Sequence, residues 1–195
     1  EILIIADGSA DPRLVAADLL SQAEHDELAA AVLVTDSEEL ADAVRAHLAE
    51  QLAETAHSER AAIALDGQQS AIVLVNDMAA AAALSNAYGP EHLEIQTEES
   101  GAVLDMIDNA GAIFLGDQSP VSLGDYLAGS NHVLPTGGQS RFSSGLGAYT
   151  FLRPQQIIRY SHDALRELEP HIVALSSAED LPAHGSAVSM RFSDR

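Results

Sequence analysis

Three short apolar runs, each closed by a polar corner and followed by a helical pattern, constrain the fold of this chain most. They are Ile2-Leu3-Ile4-Ile5-Ala6 before Asp7-Gly8, Val32-Leu33-Val34-Thr35-Asp36, and Ile72-Val73-Leu74-Val75 before Asn76-Asp77. A strand with one wet face alternates apolar and polar residues. An unbroken β-branched run instead suits a strand buried on both faces, as in a parallel sheet. Parallel neighbours need a crossover, usually a helix.

Helical patterns fill the intervals. Asp11-Pro12 predicts a helix start, with Asp as cap and Pro at the first helical position. The apolar stripe of that helix runs through Val15, Leu19 and Ala23. A second helix is expected over residues 38–54 and an Ala-rich third over 78–88, stopped by Gly89-Pro90. Asp36 and Asp77 are placed to cap them. Short strands are expected at 93–96 and 112–115, with a helix near 102–108 between them. The alternation predicts an α/β fold, an incomplete Rossmann-like layered domain with a mostly parallel sheet.

After Gly116 the texture changes. Residues 119–147 are rich in Gly, Ser and Pro, with little periodicity, and a loop of that length is more often functional than idle. Beyond it, 156–160 reads as a strand, Ser161 caps a helix to about 173, and a last helix is expected near Ala183. The expected organisation is one α/β domain over 1–147 and a small α-rich C-terminal region over 148–195. The apolar run begins at residue 2, which suggests a segment upstream of Glu1.

Composition narrows the chemistry. The net charge is −21, so nucleic acid and anionic membrane surfaces would be repelled. There is no lysine, which removes Schiff-base catalysis, and no cysteine, which removes disulfides, thiolate nucleophiles and Fe–S clusters. A metal would therefore need His, Asp, Glu, Asn or Gln ligands. No membrane-length apolar run or signal peptide is visible, and the expected location is cytoplasmic.

Acid and imidazole groups recur in a few places. Gln22 and His25 are three residues apart on a predicted helix and project from one face, as two metal ligands would. A histidine near a helix C-terminus also suits the dipole. Glu91-His92 follows Gly-Pro and suits proton transfer near neutral pH, or is a solvated turn. Asp125 and His132 lie in the Gly-rich stretch, where Asp125 is either a hard oxygen ligand or a turn aspartate. Glu179 and His184 close the series as ligands or as helix-end charges. From residues alone, the reading reaches an α/β protein with a candidate His/carboxylate metal site, and no reaction type.

Taken together, four motifs resemble the histidinol dehydrogenase family. They are Ser21-Gln22-Ala23-Glu24-His25-Asp26, Pro90-Glu91-His92-Leu93, Gly124-Asp125-Tyr126 through Asn131-His132 to Thr136, and Ala178-Glu179 through His184. The resemblance covers essentially this whole chain but only the C-terminal part of the family's length. It implies NAD-linked oxidation of L-histidinol to L-histidine through the aldehyde, with zinc bound. It further implies Gln22, His25, Asp125 and His184 as metal ligands, Glu91 and His92 as the proton-transferring pair, and His132 and Glu179 as substrate contacts. Most NAD contacts are expected upstream of Glu1, which leaves the isolated chain without turnover. A homodimer is implied, in which Glu179 and His184 serve the partner's site. Two other readings differ in class: a catalytically silent metal- or imidazole-binding module, and a metallohydrolase, which would lack the helical His-Glu-x-x-His motif.

Overall fold

The computed structural model describes residues 1–193, and they divide into two compact units, the first Glu1–Phe151 and the second beginning at Leu152. In the first unit the chain runs β1 (Ile2–Ala6), α1 (Pro12–Ala23), β2 (Ala31–Thr35), α2 (Glu38–Glu54), α3 (Ser58–Asp66), β3 (Ala71–Leu74), α4 (Met78–Tyr88), β4 (His92–Gln96), α5 (Ser100–Leu104), β5 (Ala112–Leu115) and α6 (Val121–Tyr126). Two short 3-10 turns follow, at Gln139–Arg141 and Ala148–Phe151. The second unit holds α7 (His162–Ala178) and α8 (Pro182–Ser189).

The five strands form one sheet in the order β3-β2-β1-β4-β5, and every pairing is parallel. The expected incomplete Rossmann-like α/β fold is therefore present, with an all-parallel sheet where a mostly parallel one was expected. Side chains alternate across the sheet. Ile2, Ile4, Ala31 and Leu33 pack with α1, α2 and Val121 of α6 on one face. Leu3, Ile5, Val32, Val34, Leu93 and Ile95 pack with Ala81 of α4 and Val103 of α5 on the other. Covering both faces is what the unbroken apolar runs require.

Caps set the helix starts. Asp11 accepts from Arg13 N and Pro12 opens α1, as expected. Asp77 accepts from Ala80 N at the head of α4. At α2 the cap is Ser37, whose hydroxyl accepts from Leu40 N, and not Asp36. Ser37 leaves Asp36 one residue too early to reach the open N–H groups of the first turn.

Four other expectations shift. Helix α5 covers Ser100–Leu104, earlier than 102–108, and α3 was not anticipated. The Gly-rich stretch contains α6. Residues 156–160 form no strand and are exposed, because no neighbouring strand pairs with them. Among the described residues, no helix is long and apolar enough to cross a membrane.

Candidate active site

Helix α1 runs back across the sheet and ends where β2 begins, at the amino edge of the parallel strands. Its last turn carries Gln22, which is buried, and the helix stops at Ala23 with Glu24 as cap. His25 lies just past the helix, where its N–H donates to the Gln22 carbonyl at 3.2 Å. That one turn keeps Gln22 and His25 together although the helix is shorter than expected.

The second contribution comes from the stop of α4. Gly89 adopts a left-handed conformation (φ 65°) and donates to Ser85 O, so the chain turns sharply into Pro90. A side chain there would be strained. Glu91 follows, and His92 is the first residue of β4. The pair is no solvated turn: His92 is only 7% exposed. Glu91 Oε2 accepts from the main-chain nitrogen of Glu1 at 2.7 Å and lies 3.7 Å from His92 Nδ1.

The ring of His92 is oriented by the main chain. Nδ1 lies 3.1 Å from the carbonyl oxygen of Glu1, which can only accept. In the neutral ring this contact puts the proton on Nδ1 and leaves a lone pair on Nε2. Nε2 is buried, has no hydrogen-bond partner among the described residues, and lies 3.9 Å from Asp125 Oδ1. Two acceptors facing each other leave room for a donor or a cation between them.

Asp125 stands on α6 and not in a loop. Gly124 beside it lets α6 approach the sheet: a Cβ at that position would lie 2.6 Å from the Phe114 ring of β5. Phe114 in turn flanks His92, with ring centroids 6.2 Å apart. Gln22, His25, Glu91, His92, Asp125, Tyr126 and His132 line one cavity of about 540 Å³. Six of the eight sequence-predicted site residues are thus brought together. Glu179 and His184 belong to the second unit, where Glu179 caps the end of α7 and His184 sits in the first turn of α8, both exposed.

Sequence reasoning missed a polar group beside the cavity, the buried Glu94 and Gln96 with the half-buried Asp18. Burial and the nearby Asp18 carboxylate push the Glu94 carboxyl up to about 8. Burial also raises Asp18. The signal was available: His92-Leu93-Glu94-Ile95-Gln96 alternates polar and apolar residues in a strand that the fold covers on both faces.

The donor types in the cavity are an amide oxygen, an imidazole nitrogen and a carboxylate. They suit a divalent ion such as zinc. Gln22, His25 and Asp125 share the cavity, although among the described residues no three His, Cys, Asp or Glu side chains form a ready-made metal cluster.

Fold and cavity define an incomplete Rossmann-like α/β protein whose imidazole–carboxylate site opens at the amino edge of its sheet. Open α/β sheets more usually bind ligands at the carboxyl edge. The family model for histidinol dehydrogenase matches residues 1–192, and the chain belongs to that family. It is 67% identical over 195 residues to the histidinol dehydrogenase of Leifsonia xyli subsp. xyli, covering 100% of this chain and 45% of that protein. To the enzyme of Mycobacterium bovis it is 61% identical over 192 residues, covering 98% and 43%. The crystal structure of histidinol dehydrogenase from Elizabethkingia anophelis matches with a TM-score of 0.86 at 37% identity, covering 98% of this chain and 44% of that one. The chain spans less than half the length of these relatives.

Proposed function

We propose that this chain carries most of the substrate site of a histidinol dehydrogenase, which oxidises L-histidinol twice with NAD, through L-histidinal, to L-histidine. The observation that carries the reading is the buried Nε2 of His92, with its lone pair turned toward Asp125 in a cavity shared with Gln22, His25 and Glu91.

In the first step His92 Nε2 takes the hydroxyl proton of the substrate while the carbinol C–H leaves as hydride to NAD. In the second, Glu91 takes a proton from the water that adds to the aldehyde carbon. The second hydride would pass to a second NAD while His92, its first proton returned to the adduct oxygen, takes a hydroxyl proton of the hydrate, and the carboxylic acid so formed releases its own proton to solvent as the carboxylate. In this reading Gln22, His25 and Asp125 would hold zinc, with His184 as the fourth ligand. Zinc would supply fixed positive charge that anchors the imidazole and amine of the substrate. His132 and Glu179 contact substrate in this reading. We place Glu179 and His184 at the site of a partner in a homodimer, and the protein in the cytoplasm.

Calorimetric titration of the chain with zinc and then L-histidinol tests the reading. Zinc binding that is weakened in both His25→Ala and Asp125→Ala is expected. Undiminished binding in both variants would sink it.

A further inference from the structure

Strand β4 is covered on both faces yet is apolar on only one. Leu93 and Ile95 face α4 and α5, while His92, Glu94 and Gln96 face the other way and are all buried. His92 belongs to the cavity. Glu94 does not line it, and the chemistry proposed above does not use it.

Glu94 is 1% exposed, and its contacts reach three elements. Oε1 accepts from the main-chain N–H of Val121, the first residue of α6, at 2.9 Å. Oε2 accepts from Gln96 Nε2 at 3.0 Å, and the same nitrogen donates to Asp18 Oδ2 at 3.2 Å. Asp18 lies on α1, one turn before Gln22 on the same face. Helix α6 carries Asp125, and β4 carries His92. The elements that bear the ligand-type and base-type residues of the cavity therefore converge on one buried carboxyl group.

We propose that Glu94 is a positioning residue for the candidate site, tying β4, α6 and α1 together so that His92, Asp125 and Gln22 meet at one cavity. The inference rests on the reading of that cavity as the site. Burial and the neighbouring Asp18 carboxylate, which shares the Gln96 amide with it, favour the protonated form of Glu94. Glu94 keeps the proton and donates it toward Asp18, while its other oxygen still accepts from Val121. A well-packed apolar side chain could fill the space, but it would leave the Val121 N–H without an acceptor. A side chain that merely fills the core would behave differently, since its loss would weaken the whole domain evenly.

Amide hydrogen exchange on the 195-residue chain separates these roles. Glu94→Met keeps the volume and loses the acceptor. Glu94→Gln keeps an acceptor for Val121 and a donor for Asp18. Gln96 can turn toward the new amide, because its Oε1 lacks a partner among the described residues. In Glu94→Met the amides of Val121, Leu123 and Leu127 should exchange at least about tenfold faster, with Ile4 and Leu33 within about twofold of the unaltered chain. Zinc affinity should fall by about tenfold in the same variant. Glu94→Gln should match the unaltered chain in both readouts. Equal acceleration at Ile4 and Val121, or a Glu94→Gln chain as loose in α6 as Glu94→Met, overturns the proposal. If Glu94→Met does not fold, Glu94→Gln still decides: retained protection of Val121 supports the role, and lost protection overturns it. Failure of the unaltered chain to bind zinc would overturn the metal reading instead, while the exchange rates still judge Glu94.

Discussion

His92 Nε2 and Asp125 Oδ1 face each other at 3.9 Å across the cavity, one on the first residue of β4 and the other on α6. With Nδ1 engaged by the Glu1 carbonyl, both facing atoms are acceptors in the neutral ring. The gap accordingly favours a hydroxyl, an ammonium or a metal ion over an apolar group.

Loss of Asp125 should therefore weaken cation binding more than it weakens the fold. Asp125→Ala is expected to lower zinc affinity by about 10- to 100-fold with a melting temperature within a few degrees of the unaltered chain. Competition with a chelating dye and a thermal scan check both halves. Unchanged affinity counts against Asp125 as a ligand.

In a full-length enzyme of the family, replacing the residue that corresponds to His92 by Ala should lower kcat by about 10²- to 10⁴-fold while changing substrate affinity far less. Single-turnover measurements separate the two. A weakened affinity at an unchanged single-turnover rate contradicts the role of His92 as base.

Glu94 gives a pH dependence with a definite sign. Its carboxyl is pushed up to about 8 in the folded chain, first by burial and then by Asp18. An unfolded chain ionises it near pH 4.3. Between those values the folded chain holds a proton that the unfolded chain has released, so stability falls as pH rises through the window and levels off above it. Glu94→Gln has no such proton. Its stability relative to the unaltered chain should rise by about 3 kcal/mol from pH 4 to pH 7. Urea denaturation at the two pH values reads this, and a difference that does not vary with pH would be inconsistent with it.

Gly124→Ala should destabilise the first unit by about 1–3 kcal/mol, because its Cβ would lie 2.6 Å from the Phe114 ring. Phe114→Leu in the same chain should recover part of the loss, giving a coupling measurable in a double-mutant cycle. Additive effects of the two changes would mean that α6 does not depend on this close approach.

The sequence by itself determined the frame. Unbroken runs at Ile2–Ala6 and Ala31–Thr35 demanded a sheet covered on both faces, and Asp11-Pro12, Asp77 and Gly89-Pro90 marked helix ends through chemistry that acts over a few residues. Motif resemblance supplied the residue types of the site, since those types recur in order along the family. Tertiary structure decided the rest. The Gly-rich stretch holds α6 because Val121 finds an acceptor on Glu94 and Gly124 finds space beside Phe114, and both partners lie far away in sequence. His92 is a buried imidazole and not part of a solvated turn because the Glu1 carbonyl fixes its ring, a contact across the β1–β4 pairing. Burial is a property of the whole packed domain. It turned Glu94 from one acidic residue among thirty into a carboxyl group that holds its proton near neutral pH.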